Sequence, residues 1–267
     1  MYRLAFCDVD GTVASFDGRV SPAVHNAMQA VVDSGGWITL STGRGYQLTK
    51  PYLDRAVVNA PLICCNGGLV VEPFTRRVLY VKPMPLPLAR ELLRLAVAEG
   101  IEMWFYLDDL ETMLENRPGD NGFVLRRDGV VLRPASEPLA ELTRPPHKVV
   151  VSAPTPEETP AVMARVQQQV GERARVLASS PRRIEVILPG ISKGNAMALV
   201  ARHLGIKREE TIGIGDGDND VEMLEWAGVG VAMDNATPIA RAAADWIAPP
   251  VEEDGAAIAL RRYMLGW

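Results

Sequence analysis

The sequence holds only three cysteines in 267 residues, and two of them, Cys64 and Cys65, are adjacent in a run that reads as a buried strand. That scarcity excludes a disulfide framework and fits a reducing compartment. No apolar stretch approaches the ~20 residues that a membrane-spanning helix requires. The first strand runs straight into two acidic residues, not through a signal-peptide apolar region. A cytoplasmic location with no membrane partner is expected. The three histidines, His25, His147 and His203, are scattered and offer no zinc-site spacing. The net charge of −5 leaves no basic footprint, and the arginine pairs at 76–77, 126–127 and 182–183 are isolated, so nucleic acid is not an expected partner. A Walker A sequence is absent, and Gly213-Ile214-Gly215 lacks the third glycine of a dinucleotide fingerprint. No internal repeat or low-complexity tract occurs.

What is present is the balance of a globular protein, with 48% hydrophobic and 23% charged residues. The length lies near the size at which one hydrophobic core stops growing, which predicts a compact core plus an inserted module. Short apolar runs at 3–7, 37–41 and 62–65 alternate with amphipathic segments at 22–34 and 45–57. This is the pattern of βαβ units around a parallel sheet buried on both faces. Ser21-Pro22 supplies an N-cap and an N1 proline, and Gly35-Gly36 ends that helix. The alternation resumes with a helix at 193–204, a strand at 211–214, a helix at 220–227, a strand at 229–232, a helix at 237–244 and a short strand at 246–247. Both ends of the chain therefore predict one doubly wound α/β sheet. The middle mixes helices at 86–99 and 156–170 with strands at 103–107, 148–152 and 184–188 and a hairpin signal at Asp128-Gly129. It reads as an inserted α+β domain over 83–188, between core segments 1–82 and 189–267, with Pro83, Pro85, Pro87 and Pro189-Gly190 as hinge punctuation.

The chemistry-bearing residues sit where strands end. Asp8 and Asp10 follow the first strand, and two-residue spacing puts both carboxylates on one side of an extended chain. Two anions there call for a hard cation or a proton, although Asp-Gly is equally a turn dipeptide. Asp216-Gly217-Asp218-Asn219-Asp220 follows another strand. In an open α/β sheet, ligands collect beyond the carboxyl ends of the strands, so the two acidic groups could share one Mg²⁺ site. An EF-hand is the competing reading for 216–220, but Val221 and Ala227 stand where its Gly and Glu belong. Ser41-Thr42-Gly43-Arg44 ends the second strand and could hold a phosphate oxygen with a hydroxyl and free N–H groups, or could be a simple N-cap. Lys193 stands at another helix start, where an ammonium beside carboxylates and a phosphate would restrain a nucleophile and offset phosphoryl charge. Gly190-Ile191-Ser192-Lys193-Gly194 also matches a serine-hydrolase elbow. Its only downstream histidine, His203, lies in the helix that Ser192 would open, and no acid intervenes.

Taken together, these motifs resemble those of the haloacid dehalogenase-like (HAD) phosphohydrolases, in the Cof-type branch with a type IIB cap. Asp8-Val9-Asp10-Gly11-Thr12 looks like motif I, Thr42 motif II, Lys193 motif III and Gly215-Asp216-Gly217-Asp218-Asn219-Asp220 motif IV. Residues 221–224, 230–236, 244–245 and 253–255 are similar to the same branch. Only 31 residues separate Asp10 from Thr42, too few for a cap, whereas the stretch from Thr42 to Lys193 has room. Asn66-Gly67-Gly68 and Met233-Asp234-Asn235 are small departures, expected to leave the chemistry untouched.

The resemblance implies Asp8 as nucleophile, forming an aspartyl-phosphate, and Asp10 as acid/base. It implies Mg²⁺ on the Asp8 side chain, the Asp10 backbone carbonyl and Asp216. Thr42, Gly43, Lys193 and Asn219 would bind the phosphoryl group, with Asp220 supporting the metal shell or Lys193. The implied partner is a small phosphorylated metabolite, with sugar phosphate as the class expectation, and the protein is expected to be a monomer or small homo-oligomer. A phosphosugar mutase with the same nucleophile and a catalytically silent phosphate-ligand binder are the alternatives. Trp104, Tyr106, Arg126, Arg182 and Arg183 could face a leaving group, but such residues are more commonly sheet-face core or solvated charge.

Overall fold

The computed structural model describes residues 2–116, 131–134 and 137–267. Arg126, Arg127 and the Asp128-Gly129 signal lie outside the described residues. The chain divides into two compact units, one of Met1–Arg44, Thr49–Tyr80 and Ser192–Trp267, the other of Gly45–Leu48 and Val81–Ile191.

The first unit is built on a five-stranded parallel sheet. Its strands are β1 (Leu4–Cys7), β2 (Trp37–Leu40), β12 (Thr211–Gly215), β13 (Val229–Met233) and β14 (Trp246–Ala248), in the order β14-β13-β12-β1-β2. The central strand β1 pairs in parallel with β12 on one side and β2 on the other. Because side chains alternate along a strand, Leu4 and Phe6 share one face, where they pack with Met197, Val200 and Met223. Ala5 and Cys7 point the other way and are equally buried. The helices Pro22–Asp33 and Gly255–Leu260 pack on each other and contact β2 and β13 respectively. Coverage on both faces explains why these strands read as continuous apolar runs. Helix starts follow local chemistry. Ser21 Oγ accepts from the Val24 N–H (3.1 Å) with Pro22 behind it, and Thr237 Oγ1 accepts from the Ala240 N–H (3.3 Å).

Two local expectations need correction. The amphipathic segment 45–57 is not one helix: a single turn, Tyr46–Thr49, gives way to a 3₁₀ turn, Lys50–Tyr52. Pro51 is the cause, since it has no N–H to donate and its ring collides with the preceding turn. The chain also forms β3 (Leu62–Cys64), β4 (Leu69–Val71) and β5 (Val78–Val81), a small separate sheet in which β3 and β4 are antiparallel. The last two strands are too short to leave a periodic signal.

The second unit has a six-stranded sheet, β10 (Arg175–Ala178), β11 (Arg183–Ile187), β9 (Lys148–Ser152), β6 (Glu102–Tyr106), β7 (Thr112–Glu115) and β8 (Val131–Pro134), in that spatial order. The pairings are antiparallel except β7 with β8. The helices Leu86–Glu99 and Thr159–Val170 supply Leu88, Leu92, Val162 and Val166 to a core with Met103, Phe105, Val149, Val151 and Ile184. On the other face, Trp104, Tyr106, Met113 and Val150 cluster with Leu48. The unit is thus α+β, as its sequence pattern predicts. Lys148 and Glu185 form a 2.8 Å ion pair with both side chains buried.

Candidate active site

Strand register brings the separate motifs of the first unit together. Cys7 is level with Ile214 and Leu40, so the loops after β1, β12 and β2 leave the sheet side by side. The Asp8 N–H donates to the Ile214 carbonyl (2.8 Å) and the Ser41 N–H to the Cys7 carbonyl (2.8 Å), extending the ladder one residue into each loop. Two glycines permit the close approach. Gly11 has φ +80°, and a Cβ there would lie 2.3 Å from Asp216 Oδ2; one on Gly215 would lie 2.5 Å from Asp220 Cγ.

At the centre is Lys193, whose ammonium donates to Asp8 Oδ1 (2.6 Å) and Asp220 Oδ1 (2.5 Å) with no solvent exposure. Lys193 opens the helix Lys193–Leu204, and Ser192 caps it by accepting from the Asn195 N–H (3.2 Å). That cap, with His203 roughly 16 Å further along the helix axis, disposes of the hydrolase elbow. Asp220 Oδ2 accepts from the Asp216 and Gly217 N–H groups (3.0 and 2.9 Å). Both oxygens of Asp220 are therefore engaged, by an ammonium and two backbone donors. It thereby joins Lys193 to the backbone at the start of the loop. Asp218 stands apart, accepting from the Thr237 hydroxyl at an exposed position (2.6 Å), which removes the EF-hand pattern.

Electrostatics set this pocket apart from a surface turn. Burial pushes the Asp8 carboxyl well above the usual range; Lys193 pulls it back, while Asp220, Asp216 and Asp10 push it further up. Asp216 is raised to about 6, by burial first and then by Asp220, against a hydrogen bond from Thr12 Oγ1 (2.8 Å). Lys193 is raised despite burial, because Asp220 and Asp8 hold its proton. Oxygens of Asp8, Asp216 and Asp220 lie within 4.8 Å of one another. Three carboxylates sharing one ammonium leave an excess of two negative charges. All-oxygen donors with that excess fit a hard divalent cation of the Mg²⁺ type and do not suit zinc.

Asp10 enters the expected metal set through its backbone carbonyl, and its side chain is held elsewhere. Its carboxylate is not among the clustered oxygens; Arg44 grips it with two bonds, Nε to Oδ2 (2.7 Å) and Nη2 to Oδ1 (2.6 Å). Thr42 is buried, and its Oγ1 accepts from the Arg44 N–H (3.1 Å). Asn219 Nδ2 donates to Asn66 Oδ1 (2.9 Å), and Gly43 lies beside both amides. Asn66 and Asn235 thus bond to residues of the expected site. Asn235 Nδ2 donates to the Gly11 carbonyl (2.9 Å), and its Oδ1 accepts from the Val251 N–H (2.9 Å), tying the β13 loop to motif I. Thr12, Arg44, Asn66 and Asn235 were not singled out from the sequence; the one local signal was the Asn-Gly pair at 66–67, which marks left-handed backbone. Cys65 and Asn66 indeed both have φ near +55°. In the second unit, Trp104 and Tyr106 are buried core, Arg182 donates to the Ala153 carbonyl (2.9 Å), and Arg183 lies over the Trp104 ring at 5.5 Å.

The haloacid dehalogenase-like hydrolase family matches residues 5–260. An HMP-PP phosphatase of Serratia proteamaculans is 31% identical over 242 residues, covering 89% of this chain and 86% of its own length. A Bacillus subtilis protein named 5-amino-6-(5-phospho-D-ribitylamino)uracil phosphatase YitU is 28% identical, with 96% and 95% covered. An Arabidopsis thaliana protein named chloroplastic endoribonuclease YBEY is 26% identical over 98% of this chain, which spans only 46% of that protein's length. Among solved structures, the HAD subclass IIB sugar phosphatase BT4131 superposes with a TM-score of 0.83 at 25% identity, covering 98% of each chain. The chain belongs to the haloacid dehalogenase-like hydrolases, in their Cof-type phosphatase branch. It is, more particularly, a phosphoric monoester hydrolase with an α/β HAD core and an α+β cap. No helix among the described residues is long and apolar enough to cross a membrane.

Proposed function

We propose that this phosphatase hydrolyses a small phosphomonoester, with sugar phosphate the leading class, through an aspartyl-phosphate on Asp8 and with Mg²⁺. The observation that carries the reading is the buried Lys193 ammonium between Asp8 and Asp220, with the Asp216 carboxylate beside them at the carboxyl ends of adjacent parallel strands. Bound Mg²⁺ would supply positive charge to the phosphoryl oxygens and would be held by Asp8, Asp216 and the Asp10 carbonyl. Asp8 Oδ1 is occupied by Lys193, which leaves Oδ2 to attack phosphorus. As that bond forms, the bond from phosphorus to the leaving oxygen breaks, its electron pair stays on that oxygen, and Asp10 donates a proton to it. Asp10 then takes a proton from water as the water oxygen attacks phosphorus, the bond to Asp8 breaks, and both carboxyl groups are restored. Lys193, Thr42, the Gly43 N–H and Asn219 would position the phosphoryl group, whose transfer needs placement and charge stabilisation above all.

The relatives named for HMP-PP and a phosphoribityl compound, and the neighbour named a sugar phosphatase, support a small phosphorylated metabolite. Three free, buried cysteines support a reducing, cytoplasmic setting. The test is a panel of phosphomonoesters assayed with and without Mg²⁺, run alongside Asp8→Asn. Turnover should require Mg²⁺ and vanish in the variant while the fold persists. Near-normal hydrolysis by Asp8→Asn removes the nucleophile assignment.

A further inference from the structure

Asp10 follows Asp8 on a turn whose neighbouring residues are buried, but its own side chain retains 41% of its solvent exposure. A carboxylate so exposed samples several rotamers unless something holds it. Arg44 holds it from both sides, with one guanidinium nitrogen on each oxygen at 2.7 and 2.6 Å. A two-point fork fixes the plane of the carboxylate as well as its position, which a point charge such as lysine cannot do.

Arg44 is itself restrained. Its guanidinium lies 5.0 Å from the centroid of the Tyr52 ring, and Tyr52 is buried. Its N–H donates to Thr42 Oγ1 (3.1 Å) and its carbonyl accepts from the Cys65 N–H (2.8 Å), where the chain turns through the left-handed residues Cys65 and Asn66. One residue therefore joins the turn that carries Thr42 and Gly43 to the carboxyl group two positions beyond Asp8.

We propose that Arg44, backed by the Tyr52 ring, is a positioning residue that sets the Asp10 carboxyl against the leaving oxygen, so that proton delivery depends on it. The inference rests on Asp10 being the acid/base of the reaction proposed above. The tether survives protonation: when one carboxyl oxygen carries the proton, the other still accepts from the guanidinium. Proton delivery matters most for a poor leaving group. An alkyl phosphate expels an alkoxide unless it is protonated, whereas p-nitrophenolate departs without help.

The experiment compares kcat and KM of the full chain with Mg²⁺ on p-nitrophenyl phosphate and on the alkyl phosphate it turns over fastest in a panel. A misplaced acid costs on the order of 100-fold. Arg44→Ala is expected to lose about that factor in kcat/KM on the alkyl phosphate, mainly through kcat, and less than about 10-fold on the aryl ester. Added methylguanidinium should restore part of the alkyl loss. Arg44→Lys should fall between wild type and Arg44→Ala, and Tyr52→Leu should shift the two substrates in the same unequal way; these two carry the test if Arg44→Ala does not fold. Asp10→Asn must show the same dependence on leaving group, and Arg44→Ala should add nothing to it in the double variant. Equal losses on both substrates, or losses carried by KM, would make Arg44 a ligand of the substrate and overturn the proposal. If Asp10→Asn discriminates between leaving groups and Arg44→Ala does not, the positioning role falls while the phosphatase mechanism stands. If Asp10→Asn turns over the alkyl phosphate normally, the acid/base reading fails and the inference goes with it.

Discussion

Asp216→Asn should make the metal-free protein more stable and the metal-loaded protein less so, and the two effects can be read on one instrument. A carboxyl moved from 3.8 to about 6 is, at 1.36 kcal/mol for each pH unit, about 3 kcal/mol harder to ionise in the fold than in the unfolded chain. The sign follows from the direction. A raised carboxyl binds its proton more tightly when folded, so the penalty is absent below the unfolded value of 3.8 and complete above about 6. Asparagine carries no charge and still accepts from the Thr12 hydroxyl, so it keeps the contact and drops the penalty. Water at this partly exposed side chain screens some of the energy, leaving a gain of about 2 kcal/mol at pH 8, or roughly 4 to 8 °C in Tm for a unit of this size. Thermal unfolding in EDTA should show that gain at pH 8 and lose it near pH 4. With Mg²⁺ at 100 times its Kd, wild type gains about 2.7 kcal/mol, and a variant lacking one of the charged ligands gains much less, so the order reverses. A lower Tm for Asp216→Asn in EDTA at pH 8 would show that the carboxylate cluster is not under charge stress. Equal Mg²⁺ shifts for the two proteins would remove Asp216 from the metal site.

The raised Asp216 carboxyl makes Mg²⁺ binding compete with protons, so affinity measured by calorimetry should fall as pH drops through about 6, with proton release on binding. Gly11→Ala puts a methyl 2.3 Å from Asp216 Oδ2 at a φ of +80°; a loss of about 2 kcal/mol in stability and a weakened Mg²⁺ requirement in activity assays are expected, and an unchanged metal titration would show that the loop relaxes freely. Asn235→Ala frees the Gly11 carbonyl and the Val251 N–H and should cost about 1 to 3 kcal/mol in thermal unfolding while raising the Mg²⁺ concentration for half-activation. Removing one partner of the buried pair by Glu185→Leu should destabilise by about 3 to 5 kcal/mol, whereas adding Lys148→Met should recover most of it; a double variant as unstable as the single would show that the pair is not the source.

The sequence is most legible where one rule acts alone. Apolar runs flanked by helical periodicity locate β1, β2, β12 and β13, because a parallel sheet covered on both faces leaves no polar alternation to confuse the reading. Short strands are harder. β4 and β5 carry three and four residues, and nothing in so short a run separates a strand from a loop. The helix expected over 45–57 fails for a different reason: its periodicity is real, but Pro51 interrupts the hydrogen-bond ladder that periodicity presumes.

Within the site, the division follows charge and distance. Asp8, Asp216 and Lys193 are legible because charged groups that are ambiguous one at a time recur in order at successive strand ends, and the combination is informative. Arg44 and the amides Asn66 and Asn235 are not, since arginine at a helix start or asparagine in a turn satisfies ordinary local needs. Their work lies across sequence separations of 34, 153 and 224 residues, in the bonds to Asp10, from Asn219 and to Gly11. Periodicity and spacing report on a chain's local preferences; contacts of that length exist only once the sheet order β14-β13-β12-β1-β2 has brought the loops together. The charged centre is therefore a property of motifs, while the shell of neutral hydrogen bonds and the Arg44 fork that hold it in shape are properties of the topology. Substitutions in that shell should alter metal affinity and leaving-group preference before they abolish turnover, whereas loss of Asp8 or Lys193 should abolish turnover outright.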